Sequence, residues 1–108
     1  MHSQQTILVV DDTPENIELL SEVLRPAYKV KAAPNGEKAL SIAAAEPRPD
    51  MILLDIMMPG MDGYEVCQRL KADAATAGIP IIFITARTDI DAERRGFALG
   101  AVDYITKP

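Results

Sequence analysis

Met51-Ile52-Leu53-Leu54 runs without a polar break into Asp55. Pro49-Asp50 stand before it and Pro59-Gly60 after it, so this short apolar run reads as a buried strand. Two further segments share its character. Thr6-Ile7-Leu8-Val9-Val10 is apolar on both parities, and Pro80-Ile81-Ile82-Phe83-Ile84-Thr85 has no polar face. A strand apolar on both parities must be covered on both sides, the situation of strands in a parallel sheet flanked by helices. That requirement constrains the fold more than any other feature of the chain.

The segments between the strands read as helices. Thr13-Pro14-Glu15 is a helix start, with Thr13 as N-cap, Pro14 at the first helical position and acids in the first turn. Ile17, Leu20 and Leu24 then lie on one face, which Leu19 and Val23 are expected to widen, and Arg25-Pro26 ends the helix. Tyr28-Lys29-Val30-Lys31-Ala32 alternates apolar and charged, as a half-exposed edge strand does, and its lysines discourage edge pairing. After the Asn35-Gly36 turn, Ala39, Leu40, Ile42 and Ala43 support a second helix. Val66, Cys67 and Leu70 mark a third, roughly over residues 63–73. Ile90, Phe97 and Leu99 suggest a fourth, weakened by Gly96 and capped by Gly100. Residues 101–106 form a fifth strand, closed by Lys107-Pro108. The order βαβαβαβαβ implies a doubly wound α/β domain with helices on both faces of a parallel sheet. Four helices shared between two faces leave one thinly covered, so a closing helix is expected to be missing and residues 1–108 to be a truncation after the fifth strand.

Bulk properties narrow the function. The chain has 108 residues, enough for one core, with 48% hydrophobic and 25% charged residues, the profile of a soluble globular domain. A net charge of −5, from 16 acidic and 11 basic residues, argues against direct nucleic-acid binding, which needs a basic face. The single cysteine, Cys67, excludes an internal disulfide and reads as core. No apolar run approaches the ~20 residues of a membrane span. The first residues lack a signal pattern, which makes the cytoplasm the default location.

Ligands of an open α/β sheet bind outside the carboxyl ends of its strands. Here those ends carry Asp11-Asp12, Asp55, Thr85 and Lys107. Parallel strands bring them to one edge, gathering three carboxylates, a hydroxyl and an ammonium in one cleft. Carboxylates so placed repel one another unless a hard divalent cation shares them, and oxygen-only ligands suit Mg²⁺ or Mn²⁺. Such a metal attracts phosphate oxygens, which Lys107 and Thr85 could also bind. Asp55 then remains as a nucleophile, in a site suited to phosphoryl transfer onto a carboxylate. Taken singly, Asp11-Asp12 could merely compensate a helix dipole, Lys107 could be a solvated edge lysine, and Thr85 and Tyr104 ordinary strand residues.

Together these residues resemble the receiver domain of bacterial two-component response regulators. The resemblance rests on Asp11-Asp12, Asp55, the loop Met58-Pro59-Gly60-Met61-Asp62-Gly63, Thr85-Ala86 and Lys107-Pro108, in order and on the right strands. It implies a flavodoxin-like five-stranded parallel sheet of order 2-1-3-4-5 with five helices, the fifth apparently lacking here. It implies that Asp55 accepts a phosphoryl group from a sensor histidine kinase or phosphotransfer protein. Mg²⁺ would be held by Asp12, Asp55 and the Met57 carbonyl, with Asp11 acting largely through water. Thr85 would move toward the phosphoryl group, Tyr104 would rotate inward, and Lys107 would hold a phosphoryl oxygen. The resemblance also admits a homodimer and a C-terminal output domain, and the Asp55–Gly63 stretch is similar to that of receivers joined to cyclic-dinucleotide enzymes. Met57 and Arg87, two residues after Asp55 and Thr85, would flank the path of hydrolytic water, and a bulky Met57 predicts slow self-dephosphorylation. The resemblance makes the chain a phosphoacceptor that assists its own phosphorylation and dephosphorylation, not a turnover enzyme. Against this stand a Mg²⁺-dependent aspartyl-phosphate phosphatase and a nucleotide or flavin module. The adjacent first-strand acids, the lack of a substrate cap and the absence of phosphate-binding glycine loops count against both.

Overall fold

In the computed structural model of the chain, the described residues are 4–85, 98 and 103–106. They form β1 (Thr6–Val10), α1 (Pro14–Leu24), β2 (Lys29–Ala33), α2 (Gly36–Ala44), β3 (Met51–Asp55), α3 (Gly63–Ala72), β4 (Ile81–Thr85) and β5 (Asp103–Thr106). The strands make one sheet of order β2-β1-β3-β4-β5, and every neighbouring pair is parallel. The doubly wound topology read from the sequence is thus the observed one. The fourth helix read over Ile90–Leu99 falls largely outside the described residues.

The two parities of the central strands serve two different cores. Leu8, Val10, Ile52, Leu54, Ile81 and Phe83 face α2 and α3, meeting Ala39, Ala43, Val66, Cys67 and Leu70. Ile7, Val9, Leu53 and Ile84 face the other way, toward Ile17, Leu20 and Leu24 of α1. This is why the runs carry no polar position: both sets are buried. Each such side chain contributes about 1.5–3 kcal/mol by leaving water. The edge strand keeps its alternation only in part: Lys29 is exposed and Val30 half-buried, but Ala32 is exposed and Lys31 is half-buried, donating from Nζ to the Pro47 carbonyl at 2.8 Å.

Local chemistry sets the helix ends. Asn35 caps α2 by accepting from Lys38 N–H at 2.8 Å, and Asp62 caps α3 by accepting from Glu65 N–H at 2.9 Å. Thr13 holds the N-cap position of α1 in extended geometry, but its side chain makes no cap bond. Its own N–H donates instead to Asp11 Oδ1 at 2.9 Å. Leu19 and Val23 do not widen the buried face of α1; they are 48% and 69% exposed. Ile17, Leu20 and Leu24, three to four residues apart, suffice for the narrow contact with the sheet, and the helical rotation turns the other two to solvent. The boundaries also move slightly: β2 begins at Lys29, α3 ends at Ala72, and β4 begins after Pro80, which has no N–H for the ladder.

The connection from α3 to β4 is pinned by polar groups. Lys71 Nζ donates to the Ala77 and Ile79 carbonyls at 3.0 Å each. The buried Thr76 hydroxyl donates to the Leu70 carbonyl at 2.7 Å. β4 therefore meets β3 in fixed register. Among the described residues no helix is long and apolar enough to cross a membrane.

Candidate functional site

Register builds the site. Val10 pairs with Leu54, so the residues that follow each, Asp11 and Asp55, come side by side at the carboxyl edge. Asp11 N–H donates to the Ala33 carbonyl at 3.2 Å, and Ile56 N–H to the Ile84 carbonyl at 3.2 Å, so both strand ends are held by their neighbours. The two carboxylates are buried, at 1% and 2% exposure, while Asp12 beside them is exposed. One ligand oxygen from each of Asp11, Asp12 and Asp55 lies within 4.8 Å of the others.

Backbone amides meet this charge in part. Thr13 N–H serves Asp11 Oδ1, and Met57 N–H donates to Asp55 Oδ1 at 3.3 Å. Two buried acids and one exposed acid at this spacing still repel. A hard cation with oxygen ligands relieves that repulsion, and the donor set contains no sulfur or imidazole. The residues present therefore fit a Mg²⁺-type ion.

The loop after Asp55 is tied down at both ends. Ile56 and Met58 are buried. Gly60 takes φ +74°, a left-handed conformation that glycine adopts without steric cost. Gly63 N–H donates to the Ile56 carbonyl at 2.9 Å. A Cβ at Gly63 would overlap the Asp55 carbonyl oxygen and lie 2.8 Å from Ile56 Cα, so only glycine lets α3 start against the strand end. Met57 is exposed, at 71%, as are Pro59 and Gly60 further along the loop.

The other expected residues are placed by backbone alone. Thr85 ends β4 opposite Thr106, one step beyond the Asp55–Ile84 pair, and Tyr104 in β5 lies opposite Phe83. Their side chains, and Lys107 and Arg87 entirely, lie outside the described residues. Sequence reasoning missed two features. One is the close approach at Gly63, which depends on backbone atoms of another element and leaves no signal in the linear sequence. The other is a shallow groove beside the acids, lined by Asp11, Asp12, Pro14, Ile17, Glu18 and Arg25 among others. No linear motif marks that groove, because packing of α1 over the edge of the sheet creates it.

An acid cluster at the carboxyl edge of a 2-1-3-4-5 parallel sheet defines a class of protein, and the chain belongs to it: the response regulator receiver domain family, matched over residues 7–108. It is the receiver domain of a two-component response regulator, a phosphorelay signalling module. Over 106 residues it is 50% identical to a probable cyclic di-GMP phosphodiesterase of Vibrio cholerae serotype O1, covering 98% of this chain and 24% of that protein. The chain thus spans about a quarter of that relative's length. The chemotaxis protein CheY4 of Vibrio cholerae has the same fold, with a TM-score of 0.92 at 31% identity over 98% of this chain and 88% of that one. The Mn²⁺-bound form of response regulator Rcp1 matches with a TM-score of 0.86 at 28% identity, covering 96% of this chain and 81% of that one.

Proposed function

We propose that Asp55 accepts a phosphoryl group from a sensor histidine kinase or phosphotransfer protein, in a Mg²⁺-dependent step. The observation that carries the reading is the meeting of Asp11, Asp12 and Asp55 oxygens within 4.8 Å at the end of a core strand. Asp55 is held by the strand and by Met57 N–H, so one oxygen is oriented and the carboxylate presents itself as nucleophile. Asp12 and Asp55, with the Met57 carbonyl, would hold the cation, and Asp11 would act on it through water. When bound, the ion neutralises the charge of the incoming phosphoryl group. Thr85 and Lys107 are assigned its remaining oxygens, and Thr85 with Tyr104 the two-state switch that alters a distant surface. Support for the metal comes from the carboxylate donor set and from the Mn²⁺-bound neighbour.

The donor approaches across the groove beside α1, which leads directly to Asp11 and Asp12. The likeness to a cyclic di-GMP phosphodiesterase favours an output in cyclic-dinucleotide turnover, carried by another domain of the whole protein. We assign no catalytic turnover to the receiver itself. A cytoplasmic location is part of this reading, since a sensor kinase or phosphotransfer protein would have to reach Asp55 there.

Incubation with Mg²⁺ and acetyl phosphate tests the proposal. A hydroxylamine-labile adduct should form on Asp55 and be lost in Asp55→Asn. An adduct elsewhere, or none, would refute it. Turnover of many equivalents of a phosphomonoester would favour the phosphatase alternative.

A further inference from the structure

The amino end of the sheet carries a feature that the acid cluster does not use. β2 is the outer strand beside β1. Lys29 N–H donates to the Gln5 carbonyl at 2.9 Å, and the Ala33 carbonyl accepts from Asp11 N–H. Backbone direction alternates along a strand, so Lys29, Lys31 and Ala33 turn their polar backbone groups toward β1. Val30 and Ala32 turn theirs outward, and among the described residues no strand pairs with that edge. Beside it lies a groove of about 560 Å³, lined by Thr6, Lys29, Lys31, Pro47, Arg48 and Asp50 among others.

Charge sets this groove apart from the rest of the chain. Three cations meet there in a domain of net charge −5. Lys31 donates to the Pro47 carbonyl, a neutral acceptor that leaves its charge in place. Arg48 faces Glu46 at 3.2 Å, an exposed pair that water screens. Asp50 is already engaged, accepting from Thr6 N–H at 2.7 Å. Lys29 is exposed and has no ion-pair partner among the described residues.

We propose that the outer edge of β2 binds an acidic, extended segment of a partner protein, which adds to the five-stranded sheet as a further strand. The outward amides and carbonyls of Val30 and Ala32 supply the hydrogen bonds. Lys29, Lys31 and Arg48 select carboxylates at alternate positions of the added strand, because side chains on one face recur every second residue. The same lysines repel the β2 edge of a second copy, so the edge is closed to self-pairing and open to an acidic strand. Phosphoryl transfer is not involved, since the groove lies at the opposite end of the strands from Asp11, Asp12 and Asp55.

Titration of the intact, ¹⁵N-labelled chain with a blocked peptide of alternating Glu and Val, about eight residues long, tests this. The Val30 and Ala32 amide resonances should shift, and their exchange with D₂O should slow at saturation. Binding should weaken as salt is added, and by roughly three- to tenfold in each of Lys29→Glu and Arg48→Glu. The same peptide with Lys in place of Glu should not bind. Ala32→Pro removes one outward N–H and no bond to β1, a replacement that edge strands accept, and it should weaken binding roughly tenfold. Equal binding of the Lys peptide, undiminished binding by Ala32→Pro, or shifts without slowed exchange at Val30 and Ala32 would overturn the proposal. Citrate reproducing the shifts made by the Glu peptide would make the groove a small-anion site and overturn strand addition likewise. If Ala32→Pro does not fold, amide exchange in the parent chain decides.

Discussion

Gly63→Ala joins the fold to the site in one methyl group. A Cβ at this position would overlap the Asp55 carbonyl oxygen, with Ile56 Cα at 2.8 Å and the Asp55 carbonyl carbon at 3.0 Å. All three atoms are backbone, so no side chain can swing away to make room. Ordinary contact would require α3 and the end of β3 to separate by roughly an ångström. Overpacking of this kind costs about 1–3 kcal/mol. Alanine returns part of that through helix propensity, by less than about 1 kcal/mol at a helix start. The net loss is about 1–2 kcal/mol, which for a domain of this size lowers Tm by roughly 5–15 °C. Differential scanning calorimetry reads it directly. Gly78→Ala is the control, because nothing lies within 4 Å of its Cβ position and it should be neutral within about 0.5 kcal/mol. The same displacement moves Asp55, so adduct formation should slow in Gly63→Ala and not in Gly78→Ala. A Tm for Gly63→Ala within about 2 °C of the parent would refute the steric argument.

Two further outcomes follow from the site and the core. Saturating Mg²⁺ should raise the Tm of the parent protein through binding to the folded state, by about 2.7 kcal/mol of stability at a hundredfold excess over Kd. Asp12→Ala should lose most of that rise, as thermal melts with and without the ion will show. Cys67 contributes a pH dependence of definite sign. Burial raises its folded pKa above the ordinary thiol value, so above that value the folded state binds more protons than the unfolded chain. Its contribution is complete below the ordinary thiol pKa and is lost as pH climbs from there through the folded value. Urea midpoints should therefore fall across that alkaline window, and the fall should be smaller in Cys67→Ala.

The sheet was legible because both parities of three strands are apolar, which admits few arrangements. Asp11, Asp12 and Asp55 were legible as a group because parallel strands share an edge. The helix faces were less so. Leu19 and Val23 are as apolar as Leu20 and Leu24, and only the narrowness of the α1 contact decides which of them are buried. Thr13 has the chemistry of an N-cap and occupies that position, yet its side chain makes no cap bond; its N–H pairs with Asp11. That substitution of partners depends on Asp11 standing two residues earlier at a strand end. The tightness at Gly63 was invisible for a similar reason: a glycine after a capping aspartate says nothing about the carbonyl it must clear in another element. Gly36 behaves alike, since a Cβ there would lie 2.8 Å from Val66 Cγ2 and 2.9 Å from Met61 Sδ.

Those two glycines explain how the site tolerates its own charge. Burying Asp11 and Asp55 side by side works against folding, and amide donors at Thr13 and Met57 are among the groups that offset it. The strands could relieve the repulsion by fraying at their carboxyl ends. They are prevented from doing so where α3 starts hard against the Asp55 backbone at Gly63, and where α2 starts against Met61 and Val66 at Gly36. The fully buried Val10 and Leu54 anchor the strands one residue earlier. The repulsion is thereby held in place, which gives a divalent cation a larger stabilising effect than it would have on a yielding cluster. On the reading proposed above, phosphorylation adds negative charge to this same fixed cluster. With those strand ends held, the proposed response to that charge would run toward β4 and β5, the part of the sheet carrying Thr85 and Tyr104.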